Sequence, residues 1–325
     1  MLVFAGCSKR EPAAKESAAA PPAAPMAAAP MAAMAAAPAP VQSLVERGAY
    51  LVKAANCSLC HTAAGPTGPD VKHPFAGGLE VHEVFGTWRS PNITPDLKTG
   101  IGAWTDDQIA AAIREGRRPD GARLFSIMPY MNFNTMTDAD VKAVVAFLRS
   151  VPPVERVVAR TTELKMPKIV APTPANLADN AADPIAHGKY LSQIMQCSHC
   201  HWTPDKTMAP AGPDKMFSGG LKMEFPPGSG VVFARNITSD PETGIGTWTE
   251  DQVFTVLKTM TKPDGKQIRG PMLLTQSGWS ALEDRDLHAV AAFIKALPPI
   301  KNKVPDAPIA AGPQVHEPST PEGAQ

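Results

Sequence analysis

Four of the five cysteines stand in two short segments, Asn56-Cys57-Ser58-Leu59-Cys60-His61 and Gln196-Cys197-Ser198-His199-Cys200-His201. Two thiols three positions apart, followed at once by an imidazole, have the spacing of covalent haem attachment. Cys57 and Cys60, and again Cys197 and Cys200, would join the two vinyl groups on one porphyrin edge, while His61 and His201 turn onto the iron. Three other chemistries use a cysteine pair: a redox dithiol, half of a zinc site, or a plain disulfide. A redox dithiol does not require the following histidine, and one zinc site made from both pairs would have to close across 140 residues. The duplicated motif therefore points to two covalently attached haem c groups.

What lies opposite each histidine decides between electron transfer and chemistry on a small ligand. Methionine thioethers are the first candidates. The first half of the chain offers Met128, Met131 and Met136, and a repeat offset of 144 carries these positions onto Met272, Thr275 and Ser280. Only Met128 has a methionine counterpart, so Met128 and Met272 are the expected sixth ligands. Met131 is the rival in the first half, and filling of core gaps is the competing role for any of them. His73, His82 and His288 have no histidine at the matching repeat position and read as loop or surface residues.

The elements that must position these residues are also duplicated. Arg47-Gly48-Ala49-Tyr50-Leu51 returns as His187-Gly188-Lys189-Tyr190-Leu191, Asn92-Ile93-Thr94 as Asn236-Ile237-Thr238, and Trp104-Thr105 as Trp248-Thr249. Thr105-x-x-Gln108 and Thr249-x-x-Gln252 are capping boxes that start helices ending near 116 and 260. Val141, Val144, Val145 and Leu148, matched by Leu287, Val290, Ala291 and Ile294, form the apolar stripe of a closing helix, which Pro152-Pro153 and Pro298-Pro299 terminate. Gly77-Gly78 and Gly219-Gly220 mark either places where backbone must approach the porphyrin ring or turn sharply, or simple loop punctuation. No sustained two-residue alternation appears between the helices. The expected class is all-α: two tandem domains at 41–155 and 184–302, a linker at 156–183 and a loose tail at 303–325.

Composition limits the partners. The 325 residues carry 31 basic and 31 acidic side chains, a balance that gives no field for nucleic acid. Any electrostatic steering must be local, as at Arg114, Arg117, Arg118 and Arg123 or Lys258, Lys262, Lys266 and Arg269. Those clusters would otherwise compensate haem propionates or form a solvated face. No apolar run approaches the ~20 residues of a membrane-spanning helix. Residues 1–40 read as a lipoprotein signal remnant followed by a disordered Ala/Pro-rich tether at 11–40, and Phe4-Ala5-Gly6-Cys7-Ser8 in front of the tether resembles a bacterial lipoprotein cleavage site. Cys7 would then be lipidated and tie the chain to a membrane. The alternative is an unmodified thiol.

Together these residues resemble the bacterial diheme cytochrome c family, especially the cytochrome c subunits of periplasmic alcohol and aldehyde dehydrogenases. The C-x-x-C-H motifs carry the resemblance, as do Asn-Ile-Thr followed by Gly-Ile-Gly-x-Trp-Thr, the Met128-Pro129-Tyr130 loop, and the segment from Asp140 to Phe147-Leu148-Arg149-Ser150-Val151-Pro152-Pro153. The resemblance implies class I cytochrome c domains, His/Met iron, a periplasmic location and an electron-relay role. A dehydrogenase or quinol-linked donor and a cytochrome or terminal oxidase acceptor would be the redox partners. In the second repeat Met272 is followed by Leu273-Leu274 and a loop two residues longer. Rival readings are a peroxidase-like or thiosulfate-oxidising diheme enzyme and a haem-bearing anchoring subunit.

Overall fold

In each repeat the first and last helices cross at a glycine. The computed structural model describes residues 43–65, 68–83, 86–165, 169–205, 211–223 and 231–306. Cys7, the 1–40 tether, Pro167 and the tail beyond 306 lie outside these residues. Helix α1 (Leu44–Ala54) starts at a Ser43/Glu46 capping box, and α2 (Cys57–Cys60) follows after Asn56 in the left-handed region. Short antiparallel pairs come next: β1 (Ala64–Gly65) with β2 (Gly68–Pro69), and β3 (Glu80–Glu83) with β4 (Gly86–Arg89). Helices α3 (Asp106–Glu115), α4 (Tyr130–Phe133) and α5 (Asp138–Ser150) complete the first repeat.

The second repeat runs through α6 (Pro184–Ile194), α7 (Cys197–Cys200), a 3-10 turn at Pro213–Lys215 and the β5 (Lys222–Met223) and β6 (Val232–Phe233) pair. It closes with α8 (Glu250–Thr259), α9 (Pro271–Leu274), α10 (Gln276–Trp279) and α11 (Asp284–Ala296). Both Thr/Gln capping boxes form, and α3 ends at Gly116 and α8 at Met260, each in the left-handed region. A Cβ on Gly48 would sit 1.9 Å from the Ala143 carbonyl oxygen, and one on Gly188 would sit 1.8 Å from that of Ala289. Backbone therefore meets backbone where α1 crosses α5 and α6 crosses α11. Beside each crossing an edge-to-face aromatic pair packs, Phe75 on Phe147 and Phe217 on Phe293, with centroids 5.7 and 5.8 Å apart.

The structure is mostly helical but not purely so: among the described residues three two-stranded antiparallel pairs correct the all-α expectation. The strands are too short to leave a periodic signal. In β3 the alternation amounts to buried Val81 between exposed Glu80 and His82.

The described parts of both repeats share one compact unit and one apolar core, in which Leu51, Phe133 and Val144 join Leu191, Trp279 and Val290. The segment expected to act as a linker is bonded along most of its described length. Arg156 reaches Asp70 and the Gly77 carbonyl, Thr161 accepts from the Arg89 amide, and Ile169 and Pro172 lend carbonyls to Tyr130 and Asn134. The start of the expected loose tail is held in the same way, since Arg235 donates to the Val304 and Pro305 carbonyls and pairs with Asp306. Among the described residues no helix is long and apolar enough to cross a membrane.

Candidate haem centres

The two histidines are set by backbone carbonyls that face them. His61 Nδ1 lies 2.9 Å from the Pro91 carbonyl oxygen, and His201 Nδ1 lies 2.7 Å from that of Arg235. A carbonyl oxygen only accepts, so Nδ1 carries the proton in both rings and Nε2 keeps its lone pair for a metal. Burial lowers both imidazole pKa values and favours that neutral form, against the opposing pull of the carbonyl bond.

The glycine pairs bring those carbonyls into place. Gly77 has φ +68° and Gly219 φ +73°, and a Cβ on either would meet the opposing backbone, at Pro91 or Arg235, within about 2.5 Å. The Gly77 amide returns a bond to the His61 carbonyl at 2.9 Å, and Gly219 returns one to His201 at 3.2 Å. These glycines are thus more than loop punctuation: they let one backbone segment approach another, at Pro91 and at Arg235.

Asn92 and Asn236 then hold the carbonyl-bearing loops. Asn92 Nδ2 donates to the Val154 carbonyl at 2.8 Å while its Oδ1 accepts the Thr94 amide at 2.9 Å. Asn236 does the same with Ile300 and Thr238 at 2.7 and 3.0 Å. The repeated Asn-Ile-Thr is thus a staple between the loop and the chain leaving the closing helix. Sequence reasoning missed the Pro91 and Arg235 carbonyls, although each stands immediately before that repeated triplet.

A cavity of about 3050 Å³ runs through both repeats, and Cys57, Cys60 and His61 line it together with Cys197, Cys200 and His201. Met128 and Met272 line it too, both partly buried against the core. Protein interiors tolerate few voids larger than a water molecule, so walls built from Ile101, Ile113, Leu148, Ile245 and Leu257 fit a large apolar body. With two thiols and a free Nε2 at each end, the residues present fit haem.

The competing chemistries fit less well. Burial pushes Cys57 and Cys197 up to about 12 and Cys60 and Cys200 up to about 11, the opposite of what an attacking thiolate needs. No cysteine of the two motifs is paired in a disulfide. Among the described residues no group of three or more His, Cys, Asp or Glu side chains is arranged to hold a metal ion.

The other candidate ligands scatter. Met136 is buried at 2% exposure and Met131 is 39% exposed, and both line the cavity. His73 bonds to Asp70, and His288 stacks on Phe254 with centroids 4.0 Å apart. His82 bonds to Thr87, with its side chain 68% exposed at the cavity wall. The basic clusters divide in the same way: Arg114 pairs with Asp138 and Lys258 with Asp284, while Arg118, Arg123, Lys262, Lys266 and Arg269 line the cavity.

The motifs also touch across the repeats. Asn132 Nδ2 donates to Ser198 Oγ, inside the second C-x-x-C, at 2.8 Å. Gln196 Nε2 donates to the Ala55 carbonyl at 2.6 Å, and Trp279 Nε1 to that of Ala54 at 3.0 Å.

Comparison with known proteins agrees with this geometry. The family model for cytochrome c matches residues 45–152. The cytochrome c subunit of the quinone alcohol dehydrogenase of Gluconacetobacter polyoxogenes is 33% identical over 300 residues, covering 86% of this chain and 59% of that protein. The cytochrome subunit of fructose dehydrogenase from Gluconobacter japonicus is 32% identical over 78% of this chain and 52% of its own length. A diheme cytochrome c-type protein of Cereibacter sphaeroides is 28% identical over 78% of this chain and 86% of its own. The chain spans little more than half the length of the dehydrogenase subunits it matches.

Proposed function

The chain belongs to the cytochrome c family, and on that premise we propose that it is a two-haem carrier of single electrons, working as or beside the cytochrome subunit of a dehydrogenase. Cys57 and Cys60 would hold one haem c and Cys197 and Cys200 the other, with His61, Met128, His201 and Met272 as the side chains available to ligate iron. The observation that carries this reading is the pair of Nδ1–carbonyl bonds, at Pro91 and Arg235, which leaves Nε2 of each histidine free at the wall of a cavity it shares with two thiols.

Haem supplies the one-electron chemistry, and the chain tunes and positions it. The Pro91 and Arg235 carbonyls fix the ring orientation and raise imidazole basicity. The Met128 and Met272 thioethers would complete the ligand set, and thioether ligation raises the potential of a haem iron. The apolar walls exclude water. Because both motifs line one cavity, the chain would hold both groups within one fold. Relatives named as subunits of alcohol and fructose dehydrogenases support a dehydrogenase donor. A downstream cytochrome or oxidase is the proposed acceptor, in the periplasm, with Cys7 as a lipid anchor.

The test is a pyridine haemochrome count and a carbon monoxide titration of the reduced protein, made with intact haem-attachment machinery. Two covalent haems per chain, neither binding carbon monoxide, is the expected result. No covalent haem would overturn the proposal, and one reactive iron would remove its His/Met part.

A further inference from the structure

The cavity wall in the first repeat sets two arginines beside one carboxylate. Arg118, in the loop after α3, packs its guanidinium over the Trp104 ring at 5.1 Å from the centroid. Its Nε is buried and has no hydrogen-bond partner among the described residues. The nearest carboxylate oxygen, Asp120 Oδ2, lies 3.8 Å away and is already taken by Arg160 at 2.7 Å. Arg118, Asp120 and Arg160 therefore set two fixed cations against one carboxylate. Burial, and after it the repulsion of Arg160, lowers the pKa of Arg118. A buried donor left unpaired carries an uncompensated desolvation penalty, and a second cation beside it adds to that cost. Both arginines line the cavity, so the arrangement is complete only with an anion inside it.

We propose that Arg118 and Arg160 form a carboxylate seat for a propionate of the haem held at Cys57 and Cys60, so that the segment joining the repeats supplies half of that haem's anion site. The inference rests on the reading that the first motif carries haem. Arg160 lies beyond the residues 45–152 that match the cytochrome c model, so the seat is not a property of that domain alone.

The second repeat differs at both positions. Lys262 stands at the equivalent of Arg118, and the offset of 146 that relates Pro152 to Pro298 places Asp306 at the equivalent of Arg160. Asp306 pairs with Arg235 and adds negative charge where the first repeat adds positive. The second repeat nonetheless sets two cations of its own on one carboxylate, Lys262 and Lys266 beside Asp264 at 3.5 and 3.4 Å, so the two sites differ in which segment supplies the second cation. Positive charge beside an iron disfavours its oxidised state, so the seat holds the first haem's potential up.

The experiment is a spectroelectrochemical titration of the full-length holoprotein between pH 5 and 9, for wild type, Arg118→Gln, Arg160→Gln and Arg160→Lys, with haem content checked by pyridine haemochrome. The first haem is identified in a Met128→Ala background as the one that gains carbon monoxide binding. Arg118→Gln and Arg160→Gln should each lower that haem's midpoint potential and make it more pH-dependent near neutrality, as a propionate without its partners takes up a proton more readily. Arg160→Lys, which keeps the charge, should retain most of the wild-type value. Unchanged potentials in a protein with two haems, or equal shifts of both haems, would overturn the seat while leaving the electron-carrier reading intact. Absence of the first haem from the wild type would overturn both.

Discussion

The Tyr190 phenol donates a 2.6 Å hydrogen bond to the Asp140 carboxylate in the other repeat, and the same oxygen accepts the Thr137 amide at 3.2 Å. Thr137 is the N-cap of α5 and Asp140 is three residues into it. In an ordinary capping box the N3 carboxylate would take the N-cap amide directly; here a phenol from the partner repeat stands between them. The mirror arrangement exists as well. Tyr50 donates to Asp286 at 2.6 Å and accepts the Glu283 amide, the N-cap of α11, at 3.2 Å. Each repeat thus finishes the helix cap of the other, and this reciprocity locks the two haem-motif regions together.

Tyr190→Phe should lower stability by about 1–3 kcal/mol, because the charged acceptor stays partly buried after its donor is removed. Tyr50→Phe should cost a similar amount, and the double variant should be close to additive. Denaturant midpoints of the holoprotein measure this, and stabilities equal to wild type would show the caps to be unimportant.

Gly48→Ala and Gly188→Ala should be more damaging than their size suggests. The new methyl would lie within 2 Å of a carbonyl oxygen in the crossing helix, so the helices must separate, at a cost of about 1–3 kcal/mol or more. Reduced yield of haem-loaded protein and a lower melting temperature are the expected readouts.

His187 gives the second repeat a pH dependence that the first lacks, since Arg47 occupies the equivalent place and pairs with Asp140 through two bonds of 2.8 Å. Hydrogen bonds to Asp179, and next to Asp286, raise the His187 pKa from 6.5 to about 9 against the cost of burial. A folded value above the unfolded one means that the stabilisation is complete below pH 6.5 and is lost as pH rises through about 9. Wild type should therefore lose stability over that window relative to His187→Gln. Parallel profiles for the two proteins would contradict the assignment.

Met128→Ala should leave both haems attached but open one iron to carbon monoxide and lower its potential, and Met272→Ala should do the same for the other. An unchanged spectrum and potential in either variant would return that methionine to the role of core filler.

Much of this molecule was legible in one dimension. The C-x-x-C-H spacing, the capping boxes, the proline stops and the 140- and 144-residue offsets all depend on neighbours within a few residues or on direct comparison of the two halves. Local chemistry of that kind is written into residue order. The strands were missed because each is two to four residues long, below what periodicity can reveal. A proline-bearing segment without apolar rhythm reads as a spacer, and only the fold shows that Arg156 and Thr161 bond it to the first repeat.

By itself the sequence determined the duplicated motif, the helices that frame it and the residues available to hold haem. Only the tertiary structure decided which backbone carbonyl meets each histidine, which repeat supplies the phenol at each cap, and that Arg118 and Arg160 share a single carboxylate. Those relations join residues 30 to 236 positions apart, and their pairing is set by how apolar faces pack together, a property of the folded whole that no local pattern of residues encodes.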